Sequence, residues 1–238
     1  MRHWEARFLS CMYVLSLTLL VLFAVRGLTE TVTVSGETDQ TGLVILDAGH
    51  GGPDGGSSSQ DGVLESDVNL EITLRTDAVL ALMGQRTILT RDSSADLSSA
   101  GAETIAQKKV SDIRNRVSLV NDHPDGVLVS IHQNTYPDSS VHGAQVFFGR
   151  VGYSEELAKA IQASIYNTVD PGSNRETKPI SRDVYLMNHA EIPAVLIECG
   201  FLTNEEEKTR LTSPDYQKRL AVAIAAAVSE QLAAGAGV

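Results

Sequence analysis

Val44–Gly56 reads VILDAGHGGPDGG. A short apolar run, of the kind that forms a buried strand, empties into a glycine-rich loop that carries one histidine. Two familiar phosphate loops do not fit. A dinucleotide loop needs G-x-G-x-x-G, and after Gly49 and Gly51 the third position is Asp54. The G-K-[ST] of a P-loop is absent. The glycines are better read as letting the backbone turn sharply around His50, leaving its imidazole over a cleft.

Working outward, the chain alternates strand and helix patterns. Strands are predicted at Leu43–Asp47, Thr87–Thr90, Gly126–Ile131, Ala144–Phe148, Val184–Met187 and Ala194–Glu198. Helices are predicted over Asp67–Leu82, Gln107–Asn121, Ser154–Val169 and Asp215–Leu232. In the second of these Val110, Ile113, Val117 and Val120 form one apolar stripe. Ser93–Gly101 and Asp170–Pro179 read as loops. This alternation argues a single α/β domain with a mostly parallel central sheet flanked by helices. Its site is expected at the C-terminal edge of the strands, where open α/β sheets bind ligands.

The 238 residues carry 19 basic and 30 acidic side chains, a formal net charge of -11. No basic footprint for nucleic acid is visible, so no nucleic-acid partner is expected. Phe8–Val25 holds no charge and has Arg2, Arg7 and Arg26 at its flanks. It is long enough to span a bilayer, and the basic flank predicts a cytoplasmic N-terminus with the remainder exported. An uncleaved transmembrane anchor is favoured over a cleaved signal, because no clean A-x-A site follows. The expected organisation is an anchor over residues 1–26, a polar linker over 27–42 and a catalytic domain over 43–238. Cys11 precedes most of the apolar run, against a lipoprotein site, and Cys199 sits in a predicted strand. The two do not form a disulfide framework.

Chemistry-bearing residues fall at the ends of these strands. His50 follows the first. His132 ends the third, in VSIHQNTY. Glu198 ends the last, in AVLIECGF. Glu65, in GVLESDVNL, precedes the first long helix. Two histidines and one carboxylate make an open zinc site, with water in the fourth position. A second carboxylate then takes the proton of that water. The spacing alone leaves open which carboxylate does which.

Together LDAGHGGPDGG, Glu65 before VNL, SIHQN and PAVLIECGFLTN resemble the zinc-dependent N-acetylmuramoyl-L-alanine amidases. KKVSDIRNRVSLVN and HGAQVFF resemble the membrane-anchored, spore-cortex or germination-specific branch. The resemblance covers Leu43–Leu232. It implies His50, Glu65 and His132 as zinc ligands and Glu198 as the catalytic carboxylate. It further implies a peptidoglycan substrate, cut between N-acetylmuramic acid and L-alanine. A sporulation partner protein, a downstream muramic acid deacetylase and a role in muramic-δ-lactam formation complete the expectation. The family's usual Ala-Asn after the second histidine is Gln133-Asn134 here.

Alternatives stand beside this reading: a vegetative autolysin of the same chemistry, another zinc hydrolase, or a non-catalytic peptidoglycan binder. Cys199, adjacent to Glu198 in a strand, is expected to face the core instead of a metal. His142 and His189 are open between surface and substrate roles. Arg116 is open between a structural pair and contact with the acidic stem peptide. Asp47 either orients a ligand histidine or bonds within its own loop.

Overall fold

A computed structural model of the chain describes residues 42–235. Six strands among them form one sheet: β1 (Leu43–Ala48), β2 (Thr87–Leu89), β3 (Gly126–Asn134), β4 (Gln145–Phe148), β5 (Lys178–Pro179) and β6 (Ala194–Phe201). Their order is β2-β1-β3-β6-β4-β5. All neighbours pair parallel except β4 with β6. The helices are α1 (Glu65–Leu82), α2 (Ile105–Asn121), α3 (Ser154–Thr168), α4 (Tyr185–His189), α5 (Glu205–Leu211) and α6 (Pro214–Ala233). Because β2 and β3 lie on opposite sides of β1, the crossovers diverge there. A crevice opens beyond the carboxyl ends of β1 and β3.

Strand alternation sorts side chains into two layers. Val44, Leu46, Val129, Ile131, Ile197 and Cys199 pack in the core that α1, α3 and α6 share. Leu43, Ile45, Leu128 and Leu196 pack with Val120 of α2 and Leu186 of α4. Each fully buried Leu or Ile contributes about 1.5–3 kcal/mol. A one-residue slip would put the wrong side chains in both layers, so the register is strongly set. That register places His132 on the same face as Leu128, and Glu198 on the same face as Leu196.

Several expectations are corrected in detail. Val184–Met187 is not a strand: Tyr185–His189 forms a short helix, with Asn188 N–H donating to the Val184 carbonyl at 3.1 Å. Adjacent Leu186 and Met187 are both buried on one side, which a strand with alternating faces cannot do. Helix α2 starts earlier than its apolar pattern, at a capping box of Thr104 and Gln107. Its most buried residues are Asp112, Arg116 and Val120, with Ile113 and Val117 of the expected stripe half-buried against the same core. Val110 is exposed. Helix α5, capped by Asn204, and the two-residue β5 were not anticipated.

The expectation of a transmembrane protein is also corrected. Among the described residues no helix is long and apolar enough to cross a membrane. Phe8–Val25, on which that expectation rested, lies outside the described residues, and within residues 42–235 no helix supplies a membrane span.

Candidate metal centre and its buried support

The loop after β1 is shaped by what it must let past. Gly49 donates its N–H to the Ile131 carbonyl at 3.1 Å. A Cβ on Gly49 would meet the His132 ring at 2.3 Å, so only glycine leaves that ring its place. The chain then enters the left-handed region at His50, with φ of 62°. A non-glycine residue there is uncommon and carries local strain. Gly56 closes the loop at φ of 69°, where a Cβ would press on the Glu65 carboxylate and the His50 ring.

His50, Glu65 and His132 offer ligand atoms within 4.8 Å of one another. His132 Nδ1 lies 2.9 Å from Glu65 Oε1, and His50 Nε2 lies 3.3 Å from the same oxygen. The two imidazoles stand edge to face, their centroids 5.1 Å apart. Glu65 is buried at the first residue of α1. Its oxygens accept the Ser57 N–H at 2.8 Å and the Gln133 N–H at 3.2 Å. The histidines keep 27% and 19% of their side-chain surface, so the trio opens to solvent on the imidazole side.

These groups tune one another strongly. Burial opposes the charged form of Glu65, but hydrogen bonds and charge from His132 and His50 hold its pKa far below the usual carboxylate range. Burial opposes protonation of His50 too; the Glu65 and Asp54 carboxylates outweigh it and carry the imidazole up to about 9. Two imidazoles packed around one buried carboxylate form a site with the chemistry to hold a divalent cation.

Glu198 is the register partner of His132 across β3 and β6, on the same face, next to a bulge between His132 and Asn134. Bulges recur where a strand re-aims a side chain beside an active site. Its Oε2 is buried without a hydrogen-bond partner, which costs energy unless something occupies the space before it. Burial raises its pKa most. His132 and His50 pull it down, Glu65 pushes it up, and it settles at about 7.

Beneath the loop, two arginines grip three consecutive carbonyls. Arg116 donates to Ala48 O at 2.8 Å and to His50 O at 2.6 Å. Arg91 donates to Ala48 O at 2.9 Å and to Gly49 O at 3.1 Å. Arg116 also pairs with Asp47 at 2.6 Å and Asp112 at 2.9 Å. Asp47 accepts further bonds from Thr90 and Ser130. Although burial raises it, Arg116 and these partners bring its pKa down to about 2. Arg116 is thus structural, and Asp47 serves its own loop with no bond to a histidine. Arg116→Met is expected to cost about 3–5 kcal/mol of unfolding free energy, because it strands a buried Asp47 charge. Urea denaturation measures this; a change under 1 kcal/mol contradicts the account.

Other histidines stand apart. His142 is exposed, with Nδ1 2.9 Å from the Ser140 carbonyl. His189 stacks on Tyr185. Cys199 is fully buried and faces the α1 layer. Sequence reasoning missed Asp54, whose Oδ2 lies 3.0 Å from His50 Nδ1 and whose Oδ1 pairs with Lys109 at 2.7 Å. Its spacing four residues after His50 was the available signal. It also missed Asn69, which donates to the Gly49 carbonyl at 3.1 Å, and Arg91, whose only signal was its place just after β2.

Comparison with known proteins places this geometry in a family. Residues 44–230 match the family model described as N-acetylmuramoyl-L-alanine amidase. A germination-specific N-acetylmuramoyl-L-alanine amidase of Bacillus subtilis (strain 168) is 38% identical over 183 residues, covering 76% of each chain. The solved structure of the CwlD amidase from Clostridioides difficile in complex with the GerS lipoprotein is 39% identical, with a TM-score of 0.77. It covers 81% of this chain and 99% of that one. The amidase AmiC2 of Nostoc punctiforme is 30% identical, with a TM-score of 0.69, covering 81% and 98%. With the family model spanning most of its length, the chain belongs to the N-acetylmuramoyl-L-alanine amidases, enzymes that act on peptidoglycan.

Proposed function

We propose that His50, Glu65 and His132 hold a zinc ion and that Glu198 moves the protons while the amide between the lactyl group of N-acetylmuramic acid and L-alanine is hydrolysed. One observation carries this reading: the unpartnered, buried Oε2 of Glu198 stands in register with His132 of a trio whose ligand atoms lie within 4.8 Å. A His₂-carboxylate donor set suits zinc and leaves a coordination position for water or substrate. Bound there, zinc supplies Lewis-acid polarisation of the scissile carbonyl and makes water more acidic.

The chain's own residues do the rest. Glu198 Oε2 takes a proton from the attacking water and delivers it to the departing L-alanine nitrogen. A carboxyl pushed up to about 7 by burial is matched to both duties near neutral pH. Asp54 accepts from His50 Nδ1 and so presents Nε2 to the trio. Arg116 and Arg91 keep the His50 loop from relaxing. The working unit in this reading is residues 43–238.

The germination-specific relative supports action outside the cytoplasm, on spore-cortex peptidoglycan. There, stem-peptide removal would free the muramic lactyl group for δ-lactam closure once a separate deacetylase has acted. The neighbour solved with a lipoprotein supports a lipoprotein partner for this chain. Digestion of purified peptidoglycan, with zinc and with chelator, tests the chemistry by mass spectrometry. Stem peptides beginning with L-alanine, formed only with metal, are expected. Released acetate, or no product at all, overturns the reading.

A further inference from the structure

We propose that Arg175 selects acidic stem peptides by binding a free carboxylate on the residue that follows L-alanine; this rests on the amidase reading above. The inference starts from a row of side chains. His132 pairs with Glu198, and Glu198 pairs with Gln145, so the three lie side by side on one face across β3, β6 and β4. Gln145 Nε2 donates to the Glu176 carbonyl at 2.7 Å, which turns its Oε1 the other way. Arg175 Nη1 donates to that oxygen at 3.3 Å. The row therefore runs from the metal-binding trio, past the proton carrier, to a cation.

Arg175 is held as though its position mattered. Its Nε donates to the His142 carbonyl at 3.0 Å, and its guanidinium lies 4.8 Å above the Phe201 ring. Gly143 at φ of 97° lets it approach: a Cβ there would meet Ser173 Oγ at 2.5 Å and Arg175 Cγ at 3.2 Å. Its contacts are two neutral oxygens and a ring. They use Nε and Nη1 and leave Nη2 over. In a chain of net charge -11, a positioned guanidinium whose contacts are all neutral is ready for an external anion.

The span fits the substrate. Neighbouring strands lie about 4.8 Å apart, and Arg175 Nη1 lies 3.3 Å beyond the Gln145 amide oxygen, so the guanidinium stands within roughly 10 Å of Glu198. In peptidoglycan stems the residue after L-alanine is a glutamate that presents a carboxylate or its amide. That group sits two residues from the scissile bond, roughly 7 Å away in an extended chain. A charge-assisted hydrogen bond of about 2.8 Å closes the remaining distance. Sequence reasoning had weighed a stem contact for Arg116, but that side chain is fully engaged under the His50 loop.

The test compares two muropeptides that differ only in whether this glutamate is free or amidated. The full-length protein supplied with zinc is used, and kcat/KM is read for each. Wild type is expected to favour the free acid by about tenfold to a hundredfold, the range of a charge-assisted bond. Arg175→Gln should bring the ratio near one, chiefly by slowing the acid, and Arg175→Lys should restore part of it. A purely structural role would lower both substrates together and keep the ratio. An unchanged ratio in Arg175→Gln overturns the inference, as does a wild-type ratio near one, which is readable even if the variant does not fold. Hydrolysis of neither substrate by wild type overturns the amidase reading, and this inference with it.

Discussion

Glu198→Gln is expected to keep its metal and to hydrolyse muropeptides about 10²–10⁴-fold more slowly. Glutamine keeps the shape and the place opposite His132 but cannot carry a proton between water and amine. Glu65→Gln should fail differently. Glu65 is the anionic centre of the trio, touched by His50 and His132 and held in its charged form by them. Neutralising it lowers metal affinity, so its activity should recover in part as zinc is added, because a ligand defect obeys mass action. A missing proton carrier does not. Zinc titrations of activity on both variants measure the contrast. Rescue of Glu198→Gln by zinc, with none for Glu65→Gln, would mean that the two carboxylates have been assigned each other's roles.

His132→Ala should lose both metal and activity. Removing one of the three proposed protein ligands would take away a bond and the geometry that keeps the others convergent. Metal content after dialysis is expected to fall to a small fraction of one ion per chain, and hydrolysis by more than about 10⁴-fold, beyond the loss of a proton carrier alone. Thermal unfolding of the metal-free protein should change far less than that of the metal-loaded protein, because bound metal stabilises only the folded chain that has its ligands. Elemental analysis with calorimetry reads both. Wild-type zinc content in His132→Ala would remove His132 from the site.

Sequence alone was enough for the α/β class, most of the strands and helices, and the four stretches that carry His50, Glu65, His132 and Glu198. Those signals are local: apolar periodicity and turn glycines act within a few residues of themselves. It also sufficed to turn Cys199 to the core, since neighbouring strand residues must face opposite ways. It failed at Val184–Met187, where a short apolar run has no length over which strand and helix periods diverge. It was right in part at α2, where Ile113, Val117 and Val120 pack inward as the spacing indicated, while Val110 is exposed and the helix also buries Asp112 and Arg116. No local pattern announces that Arg116 will reach the His50 carbonyl, 66 residues away in the chain. The row from His132 through Glu198 to Gln145 and Arg175 is likewise a product of strand order and register. Strand pairing across long crossovers is decided by burial on both sheet faces at once, which only the folded chain expresses.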